Sequence, residues 1–269
     1  MAGHMTSSHA AISAYIICKD ERKLIGDCID SLAGFDDIVI VDSGSTDGTP
    51  ELIRGYADRG FPIRLFERPW PGYAAQKQFA LEQCRHDWRL NLDADERLDG
   101  DLAAALRALP ADAPGIAAYS VRRADWLPGY GYPPKGVHVR SIQKLVHGKR
   151  ARYDTGQTVH EGFLLDGRTA RIETGRILHD RLISISQETP KITTYARLKA
   201  HALHASGRRA SLATIAFKPL GRFLKSYLVQ RYFLCGAPGL VYAGMLAVYV
   251  FLTEAMLYRI EAAPELAED

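Results

Sequence analysis

The 269-residue chain balances 34 Lys and Arg against 31 Asp and Glu, a formal net charge of +3 with His neutral, which argues against a nucleic-acid binder defined by a basic field. That length holds one large α/β domain with an appendage, or two small domains. Four cysteines, Cys18, Cys28, Cys84 and Cys235, lack Cys-x-x-Cys spacing, so neither a zinc site nor a disulfide scaffold is expected and a reducing cytoplasm fits.

The start, Met1-Ala2-Gly3-His4-Met5, has no basic stretch followed by an apolar one; it is expected to be no signal peptide and resembles a cloning remnant. Ile12 to Cys18 is an apolar run broken only by Ser13 and closed by Lys19-Asp20-Glu21, which predicts a buried parallel strand. Leu24, Ile25, Cys28, Ile29 and Leu32 then recur at helical spacing, with Gly34 as a stop. Ile38 to Val41 is a second buried strand running into Asp42-Ser43-Gly44-Ser45-Thr46-Asp47-Gly48-Thr49. Ligands of open α/β sheets bind beyond the carboxyl ends of strands, which makes Asp42 a candidate acceptor for ribose hydroxyls or a base N–H. Thr46 or Asp47 can cap a helix there without using Asp42.

A third strand, Ile63 to Phe66, precedes a helix from about Ala74 to Cys84 with Gln76, Lys77 and Gln78 near its start. Lys77 either reaches a diphosphate or is an ordinary solvated lysine. The fourth strand, in Trp88-Arg89-Leu90-Asn91-Leu92-Asp93-Ala94-Asp95-Glu96, ends abruptly in carboxylates. Strand alternation points Asp93 and Asp95 the same way, so the two acids can share one hard cation carrying a diphosphate. The repeat of that spacing at Asp99-Gly100-Asp101 reads as a turn and helix start, before a helix around 102–109 and a fifth strand near 117–121. Four strand-helix units in a row predict a doubly wound sheet.

These segments together, Val41 to Thr49, Gly72 to Gln78 and Leu92 to Glu96, resemble family 2 glycosyltransferases of the GT-A fold, and more narrowly the bacterial lipopolysaccharide core glucosyltransferases that act on an inner-core heptose. The likeness extends to Val159-His160-Glu161 and, loosely, to the basic-then-apolar tail. It implies an α/β, Rossmann-like GT-A domain over residues 10–185, its mixed, mostly parallel sheet flanked by helices, with a helical appendage over 186–269 for membrane association or oligomerisation. It also implies a UDP-sugar donor, with Asp42 at the uridine, Asp93 at the ribose or metal, and Asp95 on Mg2+ or Mn2+. Lys19 and Glu21, at the end of the first strand, and Lys77 join the donor side. Such enzymes usually carry Asn before that Glu, where this chain has Asp20.

Trp126, Tyr130 and Tyr132 sit among Pro128, Gly129, Gly131, Pro133 and Pro134, a loop suited either to stacking on sugar rings or to packing its own aromatics. After it, Val137 to Val146 reads as a strand, and Arg140, Lys144, Lys149, Arg150 and Arg152 can meet a phosphorylated acceptor. Asp154 to Gly162 is a polar segment carrying His160-Glu161, and Ala170 to Leu178 is a strand-like run ending in His179, either a third metal ligand or a structural histidine. Residues 194–205 have helical spacing with His201 and His204 on a wet face. Arg208, Arg209, Lys218, Arg222, Lys225 and Arg231 follow with no acid between them, then Tyr232 to Thr253 is uncharged. That tract is long enough to span a bilayer, but Cys235-Gly236-Ala237-Pro238-Gly239 is expected to break it near its front and leave an apolar helix of about 15 to 20 residues. A peripheral contact with the cytoplasmic face of the inner membrane is preferred over a dimer or core helix, and both over a span.

The expected reaction is inverting transfer of a hexose, glucose foremost, from the UDP-sugar to a lipid-linked saccharide such as the inner core; a homo-oligomer is compatible. Inversion needs a carboxylate that takes the acceptor hydroxyl's proton. Glu161 is the first candidate, with His160 beside it on the acceptor side, and Asp125 the second. Trp126, Tyr130, Tyr132 and Arg140 complete the acceptor contacts. The alternatives are a polyprenyl-phosphate sugar synthase and a non-catalytic nucleotide-sugar-binding scaffold.

Overall fold

The computed structural model describes residues 9–154, 162–180 and 184–263. The chain forms two compact units, Met1–Ala124 with Arg140–Asp180, and Asp125–Val139 with Arg181–Asp269. The aromatic loop belongs with the helical unit.

In the first unit, β1 (Ile12–Cys18) is buried along its whole length. It leads through the short α1 (Ile25–Asp30) to β2 (Ile38–Asp42), α2 (Thr49–Asp58), β3 (Ile63–Glu67), α3 (Tyr73–Gln83) and β4 (Trp88–Asp93). Then come β5 (Glu96–Leu98), α4 (Gly100–Arg107), β6 (Ile116–Asp125), whose last residue opens the second unit, and β7 (Ser141–His147). Four short strands close the unit: β8 (Ala151–Tyr153), β9 (Phe163–Leu165), β10 (Arg168–Arg171) and β11 (Ile177–His179). The sheet order is β3-β2-β1-β4-β7-β6-β11-β5, with β10 beside β6 and β8-β9 as a separate pair. The β3-β2-β1-β4 half is parallel, and the sheet turns antiparallel at β7.

Alternate residues of the central strands feed two cores, one on each face. Ile16, Ile40, Leu90 and Leu92 meet Ile25, Ile29, Ile53 and Leu106 on one side. Ile17, Val39 and Val41 meet Ala80 and Leu81 of α3 on the other. Each such fully buried aliphatic side chain stabilises the fold by roughly 1.5–3 kcal/mol, and coverage of both faces is why these strands read as continuous apolar runs. At the amino edge Asp37 is fully buried. It accepts from Ser13 Oγ at 2.5 Å, Arg64 Nη2 at 2.7 Å and Arg85 N at 2.9 Å, tying the strand starts together.

The second unit is helical. Ser184 closes a capping box on α5 (Ile185–Ala205), and Ser211 does so on α6 (Leu212–Leu224), which continues through a π turn at Lys225–Val229 and a 3-10 turn at Tyr232–Cys235. Then α7 (Gly236–Ala262) runs for 27 residues and packs against α5 and α6. The tract breaks near its front as expected: the 3-10 turn ends at Cys235, Gly236 has φ +60, and Pro238 falls in the first turn of α7, where no intrahelical hydrogen bond is lost. Leu127 and Val137 of the aromatic loop share a small core with Tyr232 and Cys235.

Candidate active site

The carboxyl ends of β1, β2 and β4 gather the acids. Asp42, the last residue of β2, is buried, and its Oδ1 accepts the backbone N–H of Gly44 and of Ser45, each at 2.9 Å. The Ser45 hydroxyl donates to its other oxygen. Asp42 therefore shapes the turn that follows it, where Gly44 has φ +85, the left-handed region that glycine enters without steric cost. Across the turn, Asp20 Oδ1 accepts from Thr46 N at 2.8 Å and Glu21 N donates to Thr49 Oγ1 at 2.9 Å, so the ends of β1 and β2 are laced together. Buried Gln76 of α3 donates to Ser43 Oγ at 3.1 Å and fixes the outer side. Lys19 is exposed beside this loop's neighbour Asp20.

Asp93 closes β4, and two cations hold its oxygens, Lys77 Nζ at 2.9 Å on Oδ1 and Lys144 Nζ at 3.0 Å on Oδ2. Lys77 is thus a buried ion-pair partner, not a solvated lysine. Behind them Glu96, also buried, accepts from Lys144 and from Asp93 N at 3.1 Å, with Arg123 Nη1 at 3.4 Å on its other oxygen. Burial pushes the Asp93 carboxyl up, but Lys144 and Lys77 more than offset this and hold it well below the ordinary carboxylate range. Sequence reasoning gave Glu96 no role and Lys144 only an acceptor contact. The available signal was a lone lysine just before the apolar Leu145-Val146 of a strand.

The strand ends at Asp93 and the chain turns through Ala94 and Asp95 before β5. Strand alternation therefore does not extend to Asp95, and the two acids have different partners. Asp95 Oδ2 lies 3.1 Å from His179 Nε2, because β11 pairs antiparallel with β5 in the register that sets His179 opposite Glu96. Asp180 N donates to the Asp95 carbonyl at 2.8 Å, and Arg97 Nε donates to Asp180 Oδ2 at 3.1 Å, bracing this corner. Glu21 feels the same concentration of acid. Burial first, and then the charges of Asp95, Asp47, Asp20 and Asp93, raise its carboxyl to about 6. Among the described residues no three His, Cys, Asp or Glu side chains converge as a complete metal cage. A carboxylate and an imidazole in an acid-rich corner nonetheless fit Mg2+ or Mn2+, which take one or two protein ligands and fill the remainder with phosphate oxygens and water.

Beside Lys77 and Lys144 opens a cavity of about 590 Å³. Four cations line it, Lys77, Arg123, Arg140 and Lys144, with Asn91, Gln143, Tyr153 and Phe163, and no acid among the described residues. Its hairpin wall is placed by Tyr153 N donating to Gln78 Oε1 at 2.9 Å and by the Tyr15 and Tyr153 hydroxyls 2.8 Å apart. Asp154 N donates to Gly162 O at 3.0 Å, closing the neck of the segment that carries His160 and Glu161. Both of those candidates lie outside the described residues. In the helical unit, Trp126 packs edge-on against Tyr132 with ring centroids 5.1 Å apart, and Tyr242 Oη lies 3.5 Å from Asp125 Oδ2. Tyr130 is 44% exposed. The loop thus packs two of its three aromatics on each other and leaves one outward.

Residues 13–166 match the model of the family described as glycosyl transferase family 2. The lipopolysaccharide core biosynthesis glycosyltransferase LpsC of Rhizobium meliloti (strain 1021) is 43% identical over 248 residues, 92% of each chain. An uncharacterized glycosyltransferase of Rickettsia prowazekii (strain Madrid E) is 28% identical over 256 residues, 91% of this chain and 86% of the other. The mannosyltransferase PcManGT from Pyrobaculum calidifontis, solved in complex with GDP-Man and Mn2+, superposes with a TM-score of 0.56 at 15% identity, over 93% of this chain and 88% of that one.

Proposed function

Given that the chain belongs to glycosyl transferase family 2 and has the GT-A fold, we propose that it moves a hexose, glucose foremost, from a UDP-sugar to a lipid-linked saccharide of the lipopolysaccharide inner-core kind, with inversion, at the cytoplasmic face of the inner membrane. One observation carries this reading: a single sheet edge brings the Asp42 turn, lysine-held Asp93 and the Asp95–His179 pair next to a cationic cavity. The 43% identity to a relative named for lipopolysaccharide core biosynthesis supports the acceptor class.

In this reading the Asp42 turn takes the uridine and Asp93, kept ionised by Lys77 and Lys144, takes the ribose hydroxyls. Asp95 with His179 would hold the divalent cation, whose charge stabilises the departing diphosphate. Lys19 and Glu21 border the donor from the end of β1. The acceptor enters the cavity, where Arg140, exposed and with no side-chain partner among the described residues, meets its anionic groups. Trp126, Tyr130 and Tyr132 are the proposed stacking rings, and His160 adds a polar contact. Glu161 is the proposed base; its neighbour two residues on, Phe163, lines the cavity. Asp125 is the second choice. The same four cations suit a polyprenyl phosphate, so that acceptor is the specific rival.

Calorimetry with UDP-hexoses and Mn2+ tests the donor side: Asp95→Ala is expected to abolish the cation-dependent part of binding, and unchanged binding would remove Asp95 from the metal site. Transfer is then assayed onto core oligosaccharide and onto polyprenyl phosphate, and turnover on the latter alone replaces the acceptor assignment. Glu161→Gln keeps size and hydrogen bonding while deleting the base. It should leave donor affinity near wild type and cut turnover by about 100-fold or more; near-normal turnover moves the role to Asp125.

A further inference from the structure

Within the helical unit, α6 and the π turn after it leave Phe217, Leu220, Leu224 and Leu228 exposed at 69, 52, 42 and 53%. Their spacing of three, four and four residues puts them in one stripe along the helix. No residue of α6 is fully buried, so this outward stripe is a surface and not a poorly packed core face. Val229, Phe233 and Leu234, also exposed, extend the apolar run towards the start of α7. Solvent-facing apolar stripes of this length mark a docking surface.

The charges identify the occupant. Between Arg208 and Arg231 there are six cations and no anion. Exposed Lys225 follows the stripe residue Leu224 by one position, about 100° round the helix, where a long side chain reaches headgroups while its neighbour enters the acyl boundary, whereas Lys218 is held by Glu254 of α7. Arg208 and Lys218 pair with Glu254, which leaves Arg209, Arg222, Lys225 and Arg231 as the cations of a segment that has no acid of its own, and an apolar stripe in such a segment matches an interfacial helix on anionic lipid. We propose that the helical unit docks on an anionic bilayer through this face of α6, lying in the plane of the surface.

The long helix α7 is the competing feature, being long and apolar enough to cross a membrane. Three observations oppose a span. Glu254 is buried in α7 and pairs with Arg208 Nη2 at 2.6 Å and Lys218 Nζ at 3.1 Å, which ties α7 to the rest of its unit through charge. The polar α5 packs along it, and a polar helix in hydrocarbon is costly. Although Leu240, Val241, Val248 and Phe251 also face outward, no cation lies between Tyr232 and Tyr258 to meet headgroups. The docking inference goes beyond the transfer reaction and is read without donor or acceptor, so either can fail alone.

Co-sedimentation of the full chain with phosphatidylcholine vesicles, with and without phosphatidylglycerol, tests it. The wild type should bind the anionic vesicles and be released by salt. Phe217→Glu with Leu224→Glu alters only exposed side chains; it should weaken binding about tenfold or more with an unchanged thermal melt. Lys225→Glu should weaken binding and flatten its salt dependence. The proposal is overturned if the double variant sediments as the wild type does, or if wild-type protein resists salt and carbonate and yields only to detergent, as a spanning α7 would. It is equally overturned if the wild type ignores vesicles and forms dimers that the double variant dissolves.

Discussion

Lys144 sits with 5% of its surface exposed between the carboxylates of Asp93 and Glu96, and Arg123 reaches Glu96 from the other side. A charge this far from water persists only when its partners do, and deleting one member of such a pair typically costs about 3–5 kcal/mol. The ladder therefore fixes the end of β4 where the donor is proposed to bind, and β6 and β7 supply its far side. Glu21 is the opposite case, an acid that gains more repulsion than pairing. Its unfolded carboxyl titrates near the ordinary value of about 4.3, whereas burial and its acidic neighbours raise the folded one to about 6. In that window the native state binds the extra proton, so Glu21's contribution to stability is present below it and is lost as pH rises through about 6. The gap corresponds to about 2 kcal/mol, which partial solvent access reduces to about 1. Melting wild type and Glu21→Gln from pH 4 to 7 should show the wild type losing ground to the variant as pH rises. A constant difference would contradict the strained carboxylate. Individual acids were legible as a cluster in the sequence, but their partners were not. The alternation rule paired Asp93 with Asp95, and a turn at Ala94 that no residue pattern announces separated them.

At the scale of elements, the strands that read clearly are those buried on both faces. Ile12–Cys18 and Ile38–Asp42 are apolar but for Ser13 and the terminal Asp42 because both sheet faces are covered, and their limits match the sequence signal to within a residue. The run expected from Ala170 to Leu178 is strand only at its two ends, Arg168–Arg171 and Ile177–His179, and Arg-Thr-Ala-Arg has by itself neither alternation nor an apolar run. It becomes a strand because β6 offers it a free ladder, in parallel register from Arg168↔Ile116 to Arg171↔Ser120. Helix α7 was legible at its front and hidden at its end. Glycine and proline punctuate the chain where the 3-10 turn gives way to the helix, and a Cβ on Gly239 would lie 2.0 Å from the Tyr232 carbonyl oxygen. That glycine lets the helix start close against the preceding turn. Its C-terminal reach past Thr253 was hidden, because the charge of buried Glu254 is met by two cations from outside the helix, Arg208 and Lys218.

Over the whole molecule, the two units interleave in sequence, and this governs how the chain tolerates cutting. The loop Asp125–Val139 leaves β6 and returns to β7 within the first unit's sequence, its neck closed by Arg123 N donating to Arg140 O at 2.9 Å. Composition revealed its Pro, Gly and aromatic character but not where it packs, because its partners, Tyr232, Cys235 and Tyr242, lie about 100 residues later, and no local period encodes so distant a contact. A chain ended at Gln230 is the natural way to ask whether the apolar tail anchors the protein, but it removes those partners. Leu127 and Val137, now 2% and 4% exposed, would be uncovered at roughly 1.5–3 kcal/mol each, and α5 and α6 would lose the helix they pack on. The truncated chain is therefore expected to aggregate and to bind an apolar dye before any question of membrane release is reached, as size-exclusion chromatography and dye fluorescence would report. A truncated protein that runs as a compact monomer with an unshifted melt would show that the loop supports itself.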